Sequence, residues 1–215
     1  MIIDFKQTGR QPNPTFEAQI KGVTVARGMG LSNNSTDSLL FINNKTYLIP
    51  DEGLSGVTLS GAKTSQITQV YCNDQPVGRI YPDIVPLKKF LFIQVGYDFF
   101  SIELYNRHLI AYNVGLGREK HFICFYENDI LVAMIHKIDL TINFKDNYVI
   151  YAQDETLYEY LCVFNLYFDS HTSADCSEYG EYSAVESNLL TIQEELTSKY
   201  DPDFIPRIKA LDGVE

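Results

Sequence analysis

Residues 155–170 read ETLYEYLCVFNLYFDS, and between Leu157 and Phe168 only Glu159 and Asn165 are neither apolar nor aromatic. So apolar a run is a membrane segment, a buried strand, or a helix packed on nearly every side. Its twelve residues make about 18 Å of helix at ~1.5 Å per residue, whereas a bilayer core takes about 20 residues to span. Length removes the membrane reading. A strand stays open as second choice, because the run lacks alternation and its only β-branched residue is Val163. As a helix, steps of about 100° place Leu157, Leu161, Phe164 and Phe168 on one face. Tyr158 and Cys162, and Tyr160, Val163 and Tyr167, fill the others, and Asp154 stands where an N-cap would. The sequence therefore predicts an enclosed helix over 155–169, in which Glu159, Asn165 and Asp169 alone require polar partners or a water-facing edge.

Something must enclose it, and the preceding sequence is nearly all strand and turn. LLFINNKTYLI (39–49), QVYCNDQPVGRI (69–80), IELYNRHLIAY (102–112) and FYENDILVAMI (125–135) each set two alternating runs around a short polar turn. Asn and Asp tolerate the positive φ of tight turns, so each reads as a β-hairpin. KKFLFIQVG (88–96), YDFFSIEL (97–104), HFICFYE (121–127), IDLTINF (138–144) and NYVIYA (147–152) are further strands. Fifteen Tyr and thirteen Phe suit such pleated, half-buried surfaces. The spacing is that of an antiparallel barrel or sandwich, arranged as a meander without a solenoid repeat.

After Ser170 the sequence turns small and acidic, and 171–182 reads as a linker. Ser183 and Glu186 have capping-box spacing, and Val185, Leu189, Ile192 and Leu196 form an amphipathic seam beside Leu190. The seam is too short for a coiled coil, which favours docking onto the barrel over dimerisation. Pro202 and Pro206 end that helix or set apart a last segment with Phe204, Ile205, Ile208 and Leu211. Residues 183–215 are thus a C-terminal helical extension.

Composition narrows function mainly by exclusion. Net charge is -11, which disfavours nucleic acid and anionic membrane surfaces. The start MIIDFKQTGR lacks the basic flank and apolar core of a secretory signal, so export by that route is not expected. Asn33, Asn34 and Asn44 each begin a glycosylation sequon, which without such a signal is a chance match. Cys72, Cys124, Cys162 and Cys176 are scattered without a CxxC pair, which suits reduced thiols in a cytosol.

Hairpins in series followed by one short apolar helix resemble the tubby C-terminal-like architecture. In particular, ENDILVAMIHKIDLTINFKDNYVIYAQDETLYEYLCVFNLYFD (127–169) is similar to the LURP-one-related branch of that superfamily. Ile135, Lys137, Asp146, Tyr148 and Ile150 match its hairpin pattern, with Asp154 before the helix, and CNDQPVGRI (72–80) resembles an earlier hairpin of the same kind. The resemblance spans 15–170 and is carried mainly by its last 45 residues or so. It implies a closed antiparallel β-barrel of about twelve strands around a central hydrophobic helix, with the barrel domain over 1–170. An ordinary sandwich ending in a helix fits the same rhythm. The family's lipid-headgroup binding rests on basic clusters, and here the only such groupings are Lys88 with Lys89, and Arg118, Lys120 and His121, which read as solvated strand ends.

No catalytic, cofactor or metal residue is assigned. Gly28 and Gly30 in ARGMGLSNNS (26–35) lack the remainder of a phosphate-binding loop and read as a flexible loop. Asp169, His171, Asp175 and Cys176 mix hard and soft ligands without regular spacing, which does not make a metal site. His108, His121, His136 and His171 stand beside no recognisable nucleophile elbow. The chain is expected to be a mainly β, cytoplasmic, non-enzymatic module that binds a protein partner or a lipid headgroup through its outer surface or C-terminal helix. A small-ligand carrier or enzyme with a spatially assembled site is the alternative.

Overall fold

A computed structural model describes residues 1–9, 13–31, 37–50, 67–90, 93–116, 120–138, 146–172 and 194–214; within these, the side chains of 84–90, 93–98, 171–172 and 194 are not described. The N-terminal strands are β1 (Ile2–Gln7), β2 (Thr15–Ile20), β3 (Val23–Gly30), β4 (Ser38–Ile42), β5 (Lys45–Ile49) and β6 (Thr68–Cys72). They are followed by β7 (Gln75–Phe90), β8 (Ile93–Leu104), β9 (Arg107–Gly115), β10 (His121–Glu127), β11 (Ile130–Ile138) and β12 (Asn147–Ala152). Each strand pairs with its neighbours in sequence, and β1 closes on β12, so the twelve form a closed antiparallel barrel. The meander is thus complete, and closure leaves no free sheet edge along the ring.

Hairpins alternate between the two ends of the barrel. One end carries two-residue turns: Lys21–Gly22, Asn43–Asn44, Asn73–Asp74, Tyr105–Asn106 and Asn128–Asp129. In three of them both residues have positive φ, at 50° and 77°, 48° and 64°, and 50° and 62°. That conformation matches the right-handed twist of flanking strands, and Asn, Asp and Gly adopt it at low cost. Four of these turns fall where the sequence placed them.

Two readings are corrected. KKFLFIQVG (88–96) is not one strand: Phe90 pairs with Ile93, Lys89 with Gln94 and Lys88 with Val95, so the chain reverses between Phe90 and Ile93. Leu91 and Phe92 offer none of the polar turn residues that marked the other reversals. Nor are Ala26–Gly30 a flexible loop, since they end β3. Gly28 is there for space, because a Cβ at this position would lie 3.3 Å from a Leu166 methyl. Of IDLTINF only Ile138, the last residue of β11, is described.

Asp154 caps as expected, its Oδ1 accepting from the Thr156 N–H at 2.8 Å, and opens a 3-10 turn, Glu155–Leu157. Helix α1 (Tyr158–Thr172) follows, extending two residues beyond Ser170. Residues 171 and 172, read as the start of a linker, are thus helical, and 173–182 lie outside the described residues. Leu157, Leu161, Cys162, Val163, Phe164 and Leu166 are fully buried. They share one hydrophobic cluster with alternate residues of the barrel strands, such as Ile3, Phe5, Leu40, Ile102, Phe125 and Ile150. The Phe164 ring meets Phe100 of β8 edge-on at 5.5 Å and Phe125 of β10 at 5.0 Å, while Leu166 lies against Gly28 of β3, which Leu40 of β4 also approaches, and α1 contacts both strands. Around the ring, β3 stands five strands from β8 in one direction and five from β10 in the other. No helix among the described residues is long and apolar enough to cross a membrane.

The outward-pointing residues of β9–β12 form a second apolar patch. Val114, Phe122, Cys124, Met134 and Tyr151 are buried there under Leu196 of α2 (Glu194–Thr197) and Phe204 and Ile208 of α3 (Phe204–Asp212). Lys199 lies 4.8 Å from the Tyr112 ring centroid and 5.6 Å from that of Tyr126, whose hydroxyl donates to the Lys199 carbonyl at 2.9 Å. Pro206 does not end a helix; it sits in the first turn of α3, where no N–H is missed. Leu211, expected in a docking segment, is largely exposed. The seam Val185, Leu189 and Ile192 lies outside the described residues.

Candidate functional site

Glu159, Asn165 and Asp169, the polar side chains of α1 that the sequence marked as needing partners or a water-facing edge, meet three different fates. Glu159 is a hub at the tight-turn end. Its carboxylate accepts from Lys45 Nζ at 2.8 and 3.0 Å, from the Tyr47 hydroxyl at 2.7 Å and from the Tyr158 hydroxyl at 3.3 Å. Tyr105 reaches the Tyr47 hydroxyl at 2.9 Å, and Asn43 donates to the Tyr158 hydroxyl at 2.8 Å. Burial pushes the Glu159 carboxyl up, but the bonds from Lys45, Tyr47 and Tyr158 together outweigh it and hold the group below its ordinary range. Arg107 adds a second clasp, forked onto Glu127 at 2.7 and 2.8 Å and donating to Thr156 at 2.9 Å.

At the opposite end, Asp169 enters a cluster that brings together Lys137, Asp146 and Tyr148, three residues of the 127–169 pattern. His121, Lys137 and Tyr148 stand in direct register across β10, β11 and β12. They are in phase with Ile123, Ile135 and Ile150 of the core, so the row points with them. The Tyr148 hydroxyl donates to Asp169 Oδ1 at 2.7 Å, and Lys137 Nζ lies 3.5 Å from Asp146 Oδ1 and 5.8 Å from the Tyr148 ring centroid. Burial first, then the neighbouring Asp146 charge, raise the Asp169 carboxyl well above the usual carboxylate range. His121 is fully buried, with Nε2 bonded to Asn113 Oδ1 and Nδ1 without a partner among the described residues. Burial, with Lys137 and His136 nearby, lowers it to about 3, so the imidazole is neutral. Nε2 then donates, and Nδ1 is left as an acceptor.

Asn165 is the third case: it is fully buried and, among the described residues, neither Oδ1 nor Nδ2 has a partner. Ser38 Oγ is likewise buried and unpaired.

The remaining candidates do not assemble. His121 is not part of a solvated basic strand end, because it points with Ile123 and Phe125; Lys120 is exposed and Arg118 is outside the described residues. Lys88 and Lys89 lie on β7 in the stretch that pairs with Ile93–Val95. His171 ends up in α1, while Asp175 and Cys176 are outside the described residues. Among the described residues no group of three or more His, Cys, Asp or Glu is placed to hold a metal ion. Cys72, Cys124 and Cys162 are free and buried.

Sequence reading singled out Lys137, Asp146 and Tyr148 only as pattern positions and missed their joint environment with His121 and Asp169. The signal available was phase: Lys137 is two residues from Ile135, and His121 two from Ile123, on strands whose alternate positions face the core. The chain matches no protein-family model, no curated protein and no solved structure.

Proposed function

We propose that the chain is a non-enzymatic binding module of the tubby C-terminal-like type, in its LURP-one-related branch, whose barrel is filled by α1. The observation that carries this reading is that α1 touches β3 and β4 on one side and β8 and β10 on the other while both its ends are clasped, by Lys45 and Tyr47 at Glu159 and by Tyr148 at Asp169. A barrel whose interior is taken by its own aromatic side chains has no lumen for a ligand of drug size. Recognition then falls to the outer wall, the connections at the barrel ends and the C-terminal helices. The strongly acidic balance favours a protein partner carrying basic groups over a phosphate-bearing surface. Three free buried cysteines suit residence in the cytosol.

Flotation with vesicles of neutral and of anionic, phosphoinositide-containing lipid tests the choice of surface. No flotation with either supports a protein partner, and salt-sensitive flotation with the anionic vesicles alone makes the ligand a lipid headgroup. An apolar fluorescent probe tests the filled interior: the native chain should not take it up, whereas Phe164→Ala should. Saturable uptake by the native chain would instead support the carrier or enzyme alternative, which the buried titratable cluster around Lys137 favours.

A further inference from the structure

We propose that the outer face of β9–β12 is a docking surface for a basic, amphipathic segment of a partner protein, and that α2 and α3 occupy it as a displaceable cover. This rests on the reading of the chain as a module for a partner carrying basic groups, and it names where that partner docks. On other strands, outward positions hold surface ion pairs, Glu17 with Arg27 and Arg79 with Glu103. On β9–β12 they hold buried apolar and aromatic side chains, among them Phe122, Met134 and Tyr151. The segment lying there shows what such a face receives. Leu196, Phe204 and Ile208 are its buried anchors, and the Tyr200 ring lies 4.7 Å from that of Phe122. Tyr112 and Tyr126 meet edge-on at 5.6 Å and take the Lys199 ammonium at 4.8 and 5.6 Å from their centroids. The face therefore selects a cation flanked by aromatic and branched apolar anchors.

The cover fits this face in its anchors but not in its charge. Residues 194–214 carry five acidic and three basic side chains, and the whole chain has a net charge of -11. Cover and body thus repel one another, whereas a segment with the same anchors and a net positive charge is attracted. The ion pair between Asp212 and the exposed Lys21, at 3.3 Å, is a weak fastening. The apolar contacts of the cover also belong to a cluster separate from that of the barrel interior, so it can lift while the core stays closed. Only the open fraction admits a partner, so closure lowers the apparent affinity by that fraction.

The probe is a fluorescent peptide of residues 194–214 with blocked ends and Glu194→Gln, Glu195→Gln and Asp203→Asn, which give it a net positive charge. It is titrated against the full chain by anisotropy, with methionine- and isoleucine-methyl spectra to locate it. The peptide should bind at low salt, weaken as salt rises, shift the Met134 methyl and release Ile208 from its buried position. Ile208→Ala in the chain loosens the cover and should tighten the peptide by about tenfold or more. The unchanged, acidic peptide should bind several-fold more weakly. No binding, equal affinity of the two peptides, or equal affinity of the parent and Ile208→Ala chains would overturn the proposal. Binding that leaves Met134 and Ile208 unmoved would overturn it too, while the reading of a module for basic partners stands; salt-sensitive flotation on anionic vesicles removes that reading itself. Dimerisation of the full chain through this face, seen by light scattering, would make the occupant a second copy and overturn the proposal. If Ile208→Ala does not fold, the comparison of the two peptides on the parent chain decides alone.

Discussion

Replacing Asn165 by Leu should stabilise the protein, although it removes a polar residue from a helix. Asn165 is fully buried with its amide unpaired among the described residues, and an amide left so costs about 1–3 kcal/mol in lost hydration. Leu also has the better helix propensity, by about 0.5 kcal/mol. Opposing these gains is overpacking, about 1–3 kcal/mol when methylenes are forced into a tight core. Leu and Asn share a branched shape at Cγ, which keeps that cost at the low end. The balance is a gain of about 1–2 kcal/mol, or about 2–8 °C in Tm for a chain of this size. Urea denaturation reads it as a higher midpoint at unchanged m. Asn165→Ala, which removes the polar atoms but leaves a hole, should fall between the parent and the Leu variant. A loss of stability in Asn165→Leu at unchanged m would mean that Oδ1 and Nδ2 have partners after all.

Phe164→Ala should cost about 3–5 kcal/mol in the same denaturation, because the ring is fully buried against Phe100, Phe125 and Phe168; a cost below about 1 kcal/mol would contradict this. Glu159→Gln should lose about 1–2 kcal/mol near neutral pH, where the carboxylate serves Lys45 and Tyr47. The folded Glu159 pKa is depressed, so its contribution is present above the unfolded value and lost as pH falls through the folded one; the variant should therefore lose less stability on acidification than the parent. Deleting 194–214 should expose Val114, Phe122, Cys124, Met134 and Tyr151 and cause concentration-dependent self-association in size-exclusion chromatography. A truncated chain that elutes as a monomer with an unchanged thermal midpoint would show that α2 and α3 do not shield that face.

The fold was legible where local chemistry dictated it. Asn-Asp and Asn-Asn pairs between alternating runs marked tight turns because few other residues accept positive φ, and a helix with buried apolar residues over Tyr158–Thr172 was legible because that run lacks the alternation of a strand. The reversal between Phe90 and Ile93 was hidden because Phe90, Leu91, Phe92 and Ile93 are all apolar, with no turn former among them. Strands β1–β3 were passed over, and Lys21–Gly22 with them, since only one residue of that turn is a turn former. Gly28 looked like flexibility because its reason, the Leu166 side chain, is 138 residues away in sequence. The cluster at Asp169 was hidden for the same cause: it gathers β10, β11, β12 and α1, and only strand register and closure bring their side chains together.

The filled barrel is tested most directly by nuclear Overhauser contacts from α1 in a methyl- and aromatic-labelled sample. Leu166 methyls should show contacts to Gly28 and Leu40 while the Phe164 ring of the same molecule shows contacts to Phe100 and Phe125. Contacts to one of these two walls without the other would place the helix against the outside of the sheet and contradict a barrel closed around it.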